Sequence, residues 1–325
     1  MPRLTGLLAR LPWRARSVRH AAVLEGVLGT TLDLQVVAGT SGQARAAQAA
    51  LLAEIDRLEG VFSRFRPDSE LNRWLATSGG QVPVSADLGG VLREALHWTE
   101  RSGGAFHPAT EALSPLWRAA EQSGVPPAQD ALDVVLRQMR GPLYRVQEEG
   151  GAWTATHLTP LPLGFNAFAK GHIADRAALA ALGVPGVTQV LVNLGGDLRV
   201  LGPQPVTVDI ADPSTLADNA APLCRVRVQD AGVATSGRAR RGFRVGGTWY
   251  SHLLDPRSGQ PLARVVSASV TAPSSAVADV LATVLSVLPP ADGLAFVRDV
   301  PGCACLLVEA DGTVHRSARW PALEV

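Results

Sequence analysis

The chain has 325 residues, 46% of them hydrophobic and 18% charged, enough to bury one large core or two smaller ones. Thirty Lys and Arg against 29 Asp and Glu leave no basic field for nucleic acid and no acidic, solvating tail. Three cysteines (Cys224, Cys303 and Cys305) make neither a disulfide framework nor a metal set, and no run of about 18 apolar residues offers a transmembrane segment.

Residues 1–20 carry five Arg and no acid, and they lack the apolar stretch and small-residue site of a secretory signal. They are expected to form a disordered basic arm, and with no lipid-anchor cysteine after them the expected location is the cytoplasm. Residues 21–325 are expected to form a single domain. Residues 22–39 read as two strands around a Gly-Thr break. Residues 43–65 place Leu51, Leu52, Ile55 and Leu58 at helical spacing. "RPDSELNRW" is a turn opening a short helix, and a further helix follows with Ser85 as N-cap and Gly103-Gly104 as its stop. Residues 121–135 are rich in Pro and Ala and read as a loop, helical only near their end. A strand pair over 143–164 and a helix from 167 come next. "QVLVNLGGDLRVLG" reads as strand, Gly-Gly turn, strand, and 205–213 and 223–237 read as strands. Residues 264–273 form a strand that enters the apolar helix "SSAVADVLATVLSVLP", and "CACLLVEADGTVHRS" closes a hairpin over Asp311-Gly312. Strands and helices mix without strict alternation, so the expected fold is α+β: a mixed sheet with surrounding helices.

Several stretches carry chemistry. Asp279 is the only charged residue between Arg264 and Asp292, and an unpaired carboxylate in so apolar a helix is costly. Thr283, four residues on, shares its face, and two hard oxygens suit Mg²⁺; a hydrogen-bonded structural Asp is the alternative. Gly195 and Gly196 either present two successive amides to an anion or simply close a hairpin. Thr235, Ser236 and Gly237 end a strand before Arg238, Arg240 and Arg241, suited to phosphate or carboxylate, or else to solvent. His252 and Asp255 can pair as base and orienter, or stabilise a turn. Lys170 opens a helix, where a cation is unfavourable unless it meets an anion.

Taken together, "FSRFRPDSELNRW", "GGAFHPATEALSPLW", "GFNAFAKGHIAD", "LVNLGGDLRVLG", "ATSGRARRGF", "SHLLDPRSGQPL" and "VTAPSSAVADVLATVLSVL", in this order, resemble the FAD:protein FMN transferase (ApbE) family over about residues 24–310. The resemblance implies an ApbE-like, T-fold-like architecture. It implies FAD as substrate, Mg²⁺ as cofactor, and transfer of FMN to a Ser or Thr hydroxyl of a partner protein with release of AMP. On the matching positions it implies Asp279, Thr283 and the Ala167 carbonyl as metal ligands. It implies His252 and Asp255 as activators of the acceptor hydroxyl. Contacts to FAD would fall to Leu28, Phe65, Ala105, Phe106, His107, Gly164, Lys170, Gly195, Gly196, Thr235, Ser236, Gly237 and Leu253. Two departures stand out: His107 and Gly164 occupy positions where the family pattern has aspartates. Loss of those carboxylates leaves an FAD-binding carrier as an alternative to transfer, and the same metal chemistry with water in place of the acceptor hydroxyl leaves an Mg²⁺-dependent FAD pyrophosphatase as another.

Overall fold

The computed structural model describes residues 17–77, 79–215, 220–237 and 242–325, together with the backbone of residues 9–10. The chain divides into two compact units, each assembled from separate stretches: residues 1–57, 168–237 and 266–325 in the first, and 58–167 and 238–265 in the second. Arg238, Arg240 and Arg241 lie outside the described residues.

The first unit is built on an eight-stranded sheet. From one edge to the other its strands are Val314–Arg316, Ala304–Glu309, Val265–Ala272, Gly232–Gly237, Asp197–Leu201, Val187–Leu194, Thr30–Ala38 and Val18–Val27. Neighbours pair antiparallel from Val265–Ala272 through to Val18–Val27. The Val18 edge strand begins inside the stretch expected to be an arm, and Ala9–Arg10 pair with Val206–Ile210 in a separate three-stranded sheet completed by Cys224–Val228. Between the two sheets lies a core of Val37, Leu191, Val200, Val206, Val226, Leu306 and Trp320. Cys303 and Cys305 are buried as small apolar residues.

The strand Val187–Leu194 is buried along most of its length, as expected of a central strand with both faces covered. The β-branched run at its start fits the pleat, and Gly195 and Gly196, both at positive φ, turn the chain back so that Leu194 pairs with Asp197. The helix Ser275–Val287 is apolar nearly all round because it is buried nearly all round.

The second unit holds a three-stranded sheet (Gln81–Val84, Ala152–His157, Tyr144–Glu149), a two-stranded hairpin (Gly242–Val245, Thr248–Ser251) and helices. Ser85 caps the helix Ala86–Arg101 by accepting from the Leu88 amide at 3.1 Å, and Gly103 and Gly104 end it at positive φ, as expected. Over 121–135 the expected helix near the end is present as Gln129–Met139, while the start of the stretch, read as loop, holds the end of a further helix, Ser114–Ser123. Pro115 sits in the first turn, where its missing N–H costs nothing, and Gly124 closes that helix at φ 73°. Trp117 anchors this part: its Nε1 donates to the Gly259 carbonyl at 2.9 Å and its ring meets Tyr250 and Phe243.

Candidate functional site

In the first unit the Asp279 question resolves into a cluster. Asp279 and Thr283 project from one face of the helix Ser275–Val287. Asp279 is buried, the Gly171 amide donates to its carboxylate, and its Oδ2 has no hydrogen-bond partner among the described residues. Burial pushes its carboxyl up to about 8; the neighbouring Asp197 charge adds to the rise, and Lys170 and the Gly171 amide oppose it. Lys170 Nζ donates to Asp197 Oδ2, so the lone helix cation meets the anion it requires. Burial raises the Asp197 carboxyl as well, against the pull of Lys170.

Two buried carboxylates therefore share one ammonium, and one carboxylate oxygen is left without a partner. That is a set of hard oxygen donors short of one positive charge, and a divalent cation with oxygen preference fits it. Ala167 departs from helical geometry (φ −79°, ψ 16°) inside the helix Asn166–Leu182. The Gly171 amide, which in an unbroken helix would bond the residue 167 carbonyl, is turned to Asp279.

Asp197 carries no sequence signal of its own, although Lys170 signals that an anion is needed. The amide-cradle reading of Gly195-Gly196 does not hold. The Gly195 N–H donates to the Thr31 carbonyl at 2.9 Å and the Gly196 N–H to Asn193 Oδ1 at 3.0 Å, so both are spent on the fold. What Gly195 provides is closeness: a Cβ there would lie 2.5 Å from Thr30 Oγ1. Thr30 follows the turn Leu28-Gly29, whose positive φ values (50° and 72°) join Val27 to Thr30. Leu28 in the left-handed region is a strained non-glycine, the kind of outlier that gathers at sites. Thr235, Ser236 and Gly237 end the strand Gly232–Gly237, with Thr235 Oγ1 2.8 Å from Ser269 Oγ.

In the second unit Phe65 is 94% exposed, an aromatic face that none of the described residues covers. Ala105 and Phe106 are buried, and the Phe106 amide is bonded to Ser102 Oγ at 3.0 Å, so their side chains belong to the core. His107 is turned inward. Its Nδ1 accepts from the Ala109 amide at 3.2 Å and the ring also bonds the Met139 backbone. Burial lowers its pKa, which keeps the imidazole neutral. At Gly164 a Cβ would lie 2.6 Å from Glu111 Oε1 and 3.2 Å from Arg64 Nη1; Glu111, paired with Arg64, fills the space of a side chain there.

Asp255 is committed to its turn. Its carboxylate takes the Arg257 guanidinium through two contacts of 2.9 Å and the Arg257 amide, while its carbonyl accepts from Gly259 at 2.7 Å. His252 and Leu253 are half-buried just before this turn, and the Leu253 amide donates to Ser251 Oγ. Two clefts, of about 250 Å³ beside Arg227 and Arg319 and about 340 Å³ beside Trp74 and Arg73, contain none of these residues.

The ApbE family profile matches residues 28–307. The chain belongs to the ApbE family. The FAD:protein FMN transferase of Treponema pallidum is 33% identical, covering 94% of this chain and 88% of its own. That of Escherichia coli K12 is 27% identical, with 93% and 88% covered. Among solved structures, the ApbE protein of Thermotoga maritima superposes with a TM-score of 0.79 at 24% identity, over 95% of this chain and all of its own. The apo flavinyl transferase ApbE of Pseudomonas stutzeri gives 0.75 at 24% identity, over 94% and 97%. At these identities the structural matches speak for the α+β ApbE fold alone.

Proposed function

We infer that this ApbE-family chain is a transferase that moves the FMN half of FAD onto a Ser or Thr hydroxyl of an acceptor protein, with Mg²⁺ and with release of AMP. The observation that carries the reading is the buried Asp279 oxygen without a partner, on one helix face with Thr283 and beside the Lys170–Asp197 pair. Family membership and the names of the relatives supply the substrate class.

Asp279, Thr283 and the Ala167 carbonyl would hold the cation; the break in helical geometry at Ala167 supports the third ligand. Bound there, Mg²⁺ would neutralise charge on the FAD pyrophosphate, which is most of what phosphoryl transfer needs. Lys170, steadied by Asp197, adds a fixed positive charge for a phosphate oxygen. Phe65 offers a ring face to flavin or adenine, and Thr235 and Ser236 offer hydroxyls. Leu28 and Gly195 shape the approach, and the family pattern places Ala105, Phe106, Gly196, Gly237 and Leu253 along the FAD site. A ring nitrogen of His252 takes the proton of the acceptor hydroxyl as its oxygen bonds to phosphorus and the phosphorus–oxygen bond to AMP breaks. Asp255, locked to Arg257, steadies the turn that follows His252.

Purified protein incubated with FAD, Mg²⁺ and a Ser/Thr acceptor peptide is expected to give flavinylated peptide and AMP in equal amounts. AMP and FMN without flavinylated peptide would mean hydrolysis instead. The absence of carboxylates at His107 and Gly164, where the family pattern has aspartates, favours a second reading, an FAD-holding protein without transfer; it predicts FAD binding with no AMP under any acceptor.

A further inference from the structure

Asp175 lies on the helix Asn166–Leu182, five residues after Lys170. Its carboxylate reaches the start of the Asp279 helix, where Oδ1 accepts from the Ser275 amide at 2.8 Å and Oδ2 from the Ala276 amide at 2.9 Å. These are two of the amides that a helix start leaves without partners. The next one, Val277, is taken by Ser274 Oγ at 3.2 Å, the helix's own cap. Arg199 Nε stands 3.4 Å from Asp175 Oδ1, and the same guanidinium donates to the Pro273 carbonyl just before the helix. Arg199 is two residues after Asp197 on one strand, so the two side chains share a face of the sheet.

Asp175 therefore ties together three elements, and each bears one member of the cluster: Lys170, Asp279 and Asp197. The contact is close. One turn before Asp175, a Cβ on Gly171 would lie 2.5 Å from the Ser275 carbonyl oxygen and 2.7 Å from the Ala276 Cα, and the Gly171 amide donates to Asp279. Gly171 and Asp175, four residues apart on one helix face, thus grip both the first turn of the Asp279 helix and Asp279 itself. The helix can neither slide nor rotate without losing these bonds.

We propose that Asp175, with Arg199, is a positioning residue for the cation site: it sets the register of the Asp279 helix so that the Asp279 and Thr283 oxygens converge on one ion. The proposal rests on the metal reading given above. The test compares Asp175→Ala with Ser274→Ala, which removes an ordinary cap from the same helix without touching the tie to the Lys170 helix. Mn²⁺ is titrated into each protein and followed by the paramagnetic resonance of the free ion, with urea unfolding measured in parallel.

The expected result is that both variants lose stability, while Asp175→Ala alone weakens Mn²⁺ binding, by tenfold or more. Equal Mn²⁺ affinity in Asp175→Ala and wild type would overturn the positioning role, and so would an equal weakening in Ser274→Ala, since that is a merely structural effect. Failure of the wild type to bind Mn²⁺ would instead remove the metal reading, and the proposal with it. If Asp175→Ala does not fold, Arg199→Met takes its place; it keeps both amide bonds and loses the tie to the strand, and at least threefold weaker binding is expected. Unchanged binding in that variant would overturn the proposal.

Discussion

Replacing Asp279 by Asn separates stability from function in opposite directions. Without a cation the folded protein holds the Asp279 carboxyl at about 8, against 3.8 for an exposed carboxyl. A raised folded pKa contributes stability that is complete below the unfolded value and lost as pH rises through the folded one, here from about pH 4 to about pH 8. Each pH unit between those two values corresponds to about 1.4 kcal/mol, so a gap of roughly four sets a ceiling of about 5–6 kcal/mol on what the wild type loses across that window. Asn has nearly the same shape and does not titrate. Its amide nitrogen would inherit the position of the unpartnered Oδ2, at a cost of about 1–3 kcal/mol for an unsatisfied buried donor. The net expectation at pH 8.5 in chelator is an Asp279→Asn protein about 2–4 kcal/mol more stable than wild type, with the advantage gone near pH 4. Urea unfolding at both pH values, with chelator and with excess Mg²⁺, is the assay. Mg²⁺ should stabilise the wild type, because a ligand of the folded state always does, and leave the variant unmoved. A variant no more stable than wild type at pH 8.5, or one that Mg²⁺ stabilises equally, would refute the reasoning.

Other outcomes follow from the same geometry. Lys170→Met removes the ammonium shared by Asp197 and Asp279; because Lys170 is partly exposed, a loss of about 1–3 kcal/mol at pH 8 is expected in thermal or urea unfolding, shrinking as the pH is lowered and the carboxylates take up protons. His107 has a folded pKa below its ordinary 6.5, so the stability it contributes is present above pH 6.5 and lost as pH falls through the folded value. His107→Asn, which keeps an acceptor for the Ala109 amide, should therefore unfold less readily than wild type under mild acid when both are compared with their own stability at pH 8.

What is legible in the sequence is local. The i, i+4 spacing of Asp279 and Thr283 lies within one helix, the Ser85 cap is three residues from the amide it accepts, and the Gly195-Gly196 turn is defined by its neighbours. The isolation of Asp279 in an apolar helix is readable because charge in such a place demands an account. The contacts that give the cluster its character are long-range. Asp197 lies 27 positions from the Lys170 it pairs with, and Asp175 caps a helix 100 positions away. Nothing in the pattern around Asp175 distinguishes it from a solvated helix residue. His107 is half local and half long-range: its partner Ala109 is two residues away, whereas the Met139 backbone that its ring also bonds ends the helix Gln129–Met139. The helix Ser114–Ser123 escapes a sequence reading because the Pro at its start and the Pro-rich stretch after it look like loop, whereas a first-turn Pro is compatible with a helix and Gly124 is its stop.

The measurement that bears most directly on the central claim is AMP release from FAD by wild type and Asp279→Asn, each with Mg²⁺ and an acceptor peptide and each with chelator. AMP, with flavinylated peptide in equal amount, is expected from the wild type with Mg²⁺ and from no other combination. Equal AMP from the variant, or from the wild type in chelator, would contradict it.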